Sequence, residues 1–154
     1  MLLRAKPIQI FAPVLLAVGL SGCAVQFLSG YDATTDAIAT SMQKAHTDHV
    51  LTVLEGTKPA CLYSRNKSYY RAARVDVAAL ELRVGAIAKN DPTVQQVQAL
   101  KGAVDSFERL DQLAERRGAC LSGAELSPID RGMNSIFGAI LKLEFAKLRG
   151  AARP

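Results

Sequence analysis

From Asp32 onward, apolar residues recur at steps of three and four, the spacing of one face of an α-helix. Ile38, Met42, Ala45, His49 and Val53 mark a first helix, which Gly56 and Pro59 stop. Ser29-Gly30-Tyr31-Asp32 reads as a capping box at its start, and Asp32 and Asp36 suit the positive end of the helix dipole. A second helix is expected from about Asn66 to Lys89, with Tyr70, Ala73, Val77, Leu80, Val84 and Ile87 in an unbroken bundle seam. The next turn is short. Asn90 suits its left-handed position, Asp91 the cap of the following helix, and Pro92 the first helical turn.

Helix three presents Val94, Val97, Leu100, Val104, Phe107, Leu110 and Ala114, and closes with Arg116, Arg117 and Gly118. Ser127-Pro128-Ile129-Asp130 reads as a second capping box opening helix four. That helix carries Met133, Ile136, Ile140 and Leu143 beside Phe137, Leu141, Phe145 and Leu148, up to Gly150. There is no strand-like alternation and no internal repeat. Four amphipathic helices with short connections predict an all-α, up-down-up-down four-helix bundle over residues 31–150, with a short tail at 151–154.

The chain has 154 residues, 49% of them hydrophobic and 21% charged, which fits one folded domain and excludes wholesale disorder. Its first 22 residues break the pattern. Arg4 and Lys6 form a basic start, and Ile8 to Leu20 form an apolar run broken by Gln9, Pro13 and Gly19. Then comes Leu20-Ser21-Gly22-Cys23, in which a thiol follows small residues. An uncleaved membrane helix is the other reading, but the run is short and proline-broken.

The Leu-Ser-Gly-Cys box resembles that of bacterial lipoproteins. The resemblance implies removal of residues 1–22, a diacylglyceryl thioether on Cys23, acylation of the new amine, and a lipidated tether over 23–30. Ala24 after the cysteine is similar to patterns that sort to the outer membrane. Tyr31-Asp32-Ala33-Thr34-Thr35-Asp36, Tyr69-Tyr70, and Ile140-Leu141-Lys142-Leu143-Glu144 with Ala146-Lys147 resemble a set of small proteobacterial helical lipoproteins. That likeness supports an envelope location and implies no activity, ligand or catalytic residue. Two or three acyl chains, at about 0.8 kcal/mol per buried methylene, make a stable anchor.

Cleavage would take the Lys+Arg count from 19 to 17 against 14 Asp+Glu, a net charge of +3. Bulk charge therefore does not indicate nucleic acid as a partner. The up-down order puts the loops after helices one and three at the same end, and these hold Cys61 and Cys120, the two cysteines besides Cys23. In an oxidising compartment they are expected to form a disulfide; two buried free thiols are the alternative.

Catalytic motifs are missing, so the chain is read as no enzyme, with no cofactor. His46 and His49 lie about 300° apart around a helix and are neighbours, but no third ligand accompanies them, so no metal site is expected. Asp105, Glu108, Asp111 and Glu115 form a carboxylate row on helix three, either a solvated face or partners for Arg71, Arg74 or Arg83. The one departure from dipole logic is helix two, which opens on Arg65, Lys67 and Arg71 interleaved with Tyr63, Tyr69 and Tyr70. Arginine with aromatic residues is typical of binding surfaces, and a basic helix start suits an anionic ligand. The bland alternative packs the tyrosines into the bundle end and leaves the cations in water. The expectation is a binding or structural module held by lipid on the periplasmic face of the outer membrane. Its partner would be an envelope protein or an anionic envelope component. The alternative is an accessory subunit or inhibitor docking on an envelope enzyme or secretion complex.

Overall fold

A computed structural model describes residues 29–151. The expected signal segment, the expected lipidation site at Cys23, positions 24–28 and the tail at 152–154 lie outside the described residues. Four helices follow in order: α1 (Ala33–Glu55), α2 (Tyr63–Ala86), α3 (Asp91–Arg116) and α4 (Gly123–Ala151). α1 packs on α2 and α4, and α3 packs on the same two, so the helices form a closed ring.

Cross-helix bonds fix the directions. The start of α1 meets the ends of α4 and α2: the Asp32 amide donates to Glu144 Oε2 at 3.0 Å, and Arg83 holds both Asp32 carboxylate oxygens at 2.6 Å. At the other end, the Ser64 amide at the start of α2 donates to Glu115 Oε2 near the end of α3 at 3.1 Å. Neighbours are thus antiparallel. The expected up-down-up-down bundle is the architecture observed.

Local chemistry explains the boundaries, and several differ from expectation. Asp32 caps α1 by accepting from the Thr34 and Thr35 amides, while Ser29 donates instead to Asn90 across the bundle end. α2 begins at Tyr63 rather than Asn66 and ends at Ala86 rather than Lys89. The left-handed residue of the α2–α3 turn is Lys89 (φ 60°), not Asn90. Asn90 is committed elsewhere, its amide donating to the Val84 carbonyl and its side-chain oxygen accepting from Ser29 and Lys147. Asp91 lies within the first turn of α3 and does not cap it.

α4 starts four residues before the expected box. Ser122 and Glu125 make the reciprocal capping pair, Ser122 N to Glu125 Oε2 at 2.9 Å and Glu125 N to Ser122 Oγ at 3.3 Å. Ser127 and Pro128 therefore sit inside the helix. Pro128 lies in the second turn, past the first turn where a proline is free of cost, and leaves the Ala124 carbonyl without its i+4 amide. α3 ends in a Schellman motif, Ala119 N to Ala114 O and Gly118 N to Glu115 O, which needs the positive φ of 70° at Gly118. That turn delivers Cys120. At the end of α1, a Cβ on Gly56 would collide with the Thr52 carbonyl oxygen, so the chain can close tightly towards Cys61. Cys61 and Cys120 are joined as a disulfide, with Cα atoms 5.6 Å apart.

The core is built from Tyr70, Val77, Leu80 and Val84 of α2, Val97, Leu100, Val104 and Phe107 of α3, and Met133, Phe137 and Ile140 of α4. Each such side chain contributes about 1.5–3 kcal/mol on burial. α1 supplies Ala39, Met42, Val50 and Val53, and also both histidines. Ala45 is exposed where it was expected inside, because the face is rotated to bury His46. On α3 Leu110 is exposed and Asp111 takes the inner place; on α4 Phe145 and Leu148 are exposed while Glu144 and Lys147 are buried. Polar groups hold these inner positions because each finds partners there.

Candidate functional site

The densest polar chemistry lies inside the bundle, towards the disulfide end. His46 and His49 come from consecutive turns of α1, only 60° apart around its axis, so both point inward. Tyr69 and Tyr70 are adjacent on α2, at the flank and the centre of its buried seam. α3 supplies Phe107, Glu108 and Asp111, and α4 supplies Asp130.

Two short relays cross this centre. His49 Nε2 lies 3.2 Å from the Tyr70 hydroxyl, which donates to Asp111 Oδ2 at 2.9 Å. A neutral His49 protonated on Nε2 donates to Tyr70 and satisfies the run. His46 bridges the Tyr69 hydroxyl at Nδ1 and Asp130 Oδ1 at Nε2, both at 3.1 Å. A neutral His46 with its proton on Nε2 serves both, accepting from Tyr69 and donating to Asp130. The rings also pack: His49 stacks on Tyr69 with centroids 3.9 Å apart, and Phe107 meets His46, His49 and Tyr70 at 5.4 to 5.8 Å.

Burial sets the protonation states. It pulls the His49 pKa down to about 4, with the neighbouring His46 adding to the effect. Burial lowers His46 as well, opposed by the Asp130 charge. Tyr69 and Tyr70 are raised far out of the physiological range, again chiefly by burial. Asp111 is raised because burial outweighs the Tyr70 hydrogen bond, and its Oδ1 has no hydrogen-bond partner among the described residues. With His46, His49, Tyr70 and Asp111 all but inaccessible to solvent, the arrangement ties α1, α2, α3 and α4 together through hydrogen bonds and offers no bound substrate a path to them.

The structure parts the six residues read as an anion- or partner-binding cluster. Tyr70 is wholly buried and belongs to the core. Tyr69 is partly buried against His49, and Tyr63 is partly buried with its hydroxyl donating to Glu108 Oε1 at 2.9 Å. Arg65, Lys67 and Arg71 remain exposed, with the Lys67 ammonium 5.6 Å from the Tyr63 ring centre. The bland arrangement therefore describes the tyrosines, and the cations alone form a surface.

The carboxylate row explains the unfavourable charges at the start of α2. Glu115 accepts from the Ser64 amide, and Glu108 pairs with Arg74, so acids of α3 supply the compensation that α2 lacks. Asp105 stays exposed. Arg83 pairs with Asp32 rather than with this row, and its guanidinium holds the Asp32 carboxyl well below the usual range.

A second polar centre closes the opposite end. Lys147 donates to Glu144, to Asn90 Oδ1 at 2.6 Å and to Thr93 Oγ1 at 2.9 Å, all of them buried. Ser29 joins the same knot through Asn90 at 3.0 Å and through its amide to Lys89 O at 3.0 Å. The incoming chain is thereby fastened to the bundle.

Among the described residues, no group of three or more His, Cys, Asp or Glu could hold a metal ion, and no helix is long and apolar enough to cross a membrane. No protein-family model, curated protein or solved structure matches the chain.

Proposed function

We propose that the chain is a lipoprotein of the bacterial envelope, anchored in the outer membrane by Cys23. Its bundle then serves as a binding or structural module on the periplasmic side. The observation that carries this reading is Leu20-Ser21-Gly22-Cys23 at the end of a basic and then apolar leader. The pairing of Cys61 with Cys120 supports it, since disulfides persist in oxidising compartments and Cys23 is the remaining cysteine of the three.

The bundle adds an orientation. Ser29 is pinned where α1 begins and α4 ends, and the stretch from Cys23 to Ser29 spans at most about 20 Å. That end is the membrane-proximal one. The disulfide, Arg65 and Lys67 lie at the far end, roughly 35 Å away along α2. A second reading, an accessory subunit docking on an envelope protein, is favoured by the exposure of those two cations at the distal tip.

The test is growth with radiolabelled palmitate followed by crosslinking in cells. Label is expected in the wild-type chain and none in Cys23→Ser. A crosslinked partner lost on replacing Arg65 and Lys67 by Glu supports docking through the tip. Labelling of Cys23→Ser at the mature size would overturn the anchor.

A further inference from the structure

α2 has two apolar faces. One is the buried seam of Tyr70, Ala73, Val77, Leu80 and Val84. The other consists of Ala72, Val75, Ala79, Leu82 and Ala86, at steps of three and four, all exposed on the opposite side of the helix, with Ala79, Leu82 and Ala86 bordering a groove shared with Ile38 of α1. Val75 is 62% and Leu82 79% exposed. No charged residue interrupts this outer row. The outer faces of the other helices are broken by polar side chains: Lys44 and Asp48 on α1, Gln98 and Ser106 on α3, Arg131 and Lys142 on α4.

We propose that this outer face of α2 is a dimerisation surface, occupied by α2 of a second copy running in the same direction. In heptad terms Ala72, Ala79 and Ala86 take the a positions and Val75 and Leu82 the d positions, so alanine layers bring the helices close and Val–Val and Leu–Leu layers fill between them. Arg71 then falls at g and Asp76 at the following e, five residues on, which is the spacing of interhelical charge pairs in parallel coils. Neither residue enters an ion pair among the described residues, and the two-fold axis would pair each with the other twice. In an antiparallel pair Asp76 would face Arg83, which is already committed to Asp32. The parallel direction also rests on the anchored reading above, because it puts the two Ser29 ends, and the chain leading to Cys23, on the same side.

The experiment uses membranes carrying the full chain with single substitutions Ala72→Cys, Ala79→Cys or Ala86→Cys, treated with a short bis-maleimide. All three are expected to give a covalent dimer, while the wild type and Ser106→Cys on the outer face of α3 give none. Arg71→Glu added to Ala79→Cys should cut the dimer yield several-fold, and Arg71→Glu with Asp76→Arg should restore it. A dimer from Ala79→Cys but not from Ala72→Cys or Ala86→Cys would overturn the parallel arrangement. No dimer from any of the three overturns the proposal. Palmitate labelling of the same membranes reports on the anchor separately, so an anchored chain that fails to crosslink counts against the dimer alone.

Discussion

The Tyr70 hydroxyl donates a hydrogen bond to Asp111 Oδ2 at 2.9 Å inside the bundle, and both residues are essentially without solvent contact. The bond ties α2 to α3, and His49 of α1 completes it at 3.2 Å. Removing the hydroxyl leaves a buried carboxylate oxygen and a ring nitrogen without their partner. Tyr70→Phe is therefore expected to lower unfolding free energy by about 1–3 kcal/mol with no loss of packing volume. Urea titration of both proteins checks it; equal midpoints would contradict the relay.

Acid should weaken the fold through the histidines. The His49 pKa falls from 6.5 in the open chain to about 4 in the bundle, and His46 is lowered too. The unfolded chain thus binds more protons between about pH 6.5 and 4. The stability present above pH 6.5 is lost as the pH falls through that window. His49 alone accounts for on the order of 3 kcal/mol by pH 4, at about 1.4 kcal/mol per unit. Asp111 acts with the opposite sign, since its raised pKa makes protonation favour the folded state and offsets part of the loss at the acid end. Unfolding free energies at pH 7 and 5 should differ clearly for the wild type and less for His49→Phe.

The buried pair of Lys147 and Glu144 predicts an asymmetric result. Lys147→Met leaves the buried Glu144 carboxylate, beside Thr93, without its cation and should cost about 3–5 kcal/mol. Glu144→Gln combined with Lys147→Met removes the stranded charge while keeping an acceptor for the Asp32 amide, and should recover part of the loss. A double variant no more stable than the single one would contradict this account of the knot.

Reduction of Cys61–Cys120 frees a loop with a sequence separation of 59 residues. The chain-entropy model gives about 4 kcal/mol for a loop of that size. Alkylation without reduction is expected to label neither cysteine, and reduction should lower the melting temperature measured by circular dichroism. Two alkylated thiols in the unreduced protein would contradict the bridge.

The architecture was legible because apolar spacing and short turns carry it. Tyr70, Ala73, Val77, Leu80 and Val84 stand in the core as their period implies, and the loop order brought the two cysteines together. Periodicity by hydrophobicity alone missed the polar interior. His46, Asp111, Glu144 and Lys147 occupy core positions that a rule of apolar residues inside assigns to Ala45, Leu110, Phe145 and Leu148. What admits them is a partner from another part of the chain, and partners 23 to 112 residues away leave no trace in local spacing. One signal was available and local: Ser122 followed by Glu125 is a capping box in plain sequence, and it outcompetes Ser127 because it closes reciprocally. The exposed cations of α2 were visible as such, and of the three arginines expected to meet the α3 acids, Arg74 does so through Glu108, while Arg83 turns to Asp32 and Arg71 enters no ion pair among the described residues.

The most direct test of the envelope reading is the intact mass of the mature protein extracted from membranes, with sequencing of its N-terminal peptide. A chain beginning at Cys23, carrying a diacylglyceryl thioether and an N-acyl group, with Cys61 and Cys120 oxidised, is the result this account predicts. A chain that retains Met1, or that begins elsewhere with an unmodified Cys23, would contradict it.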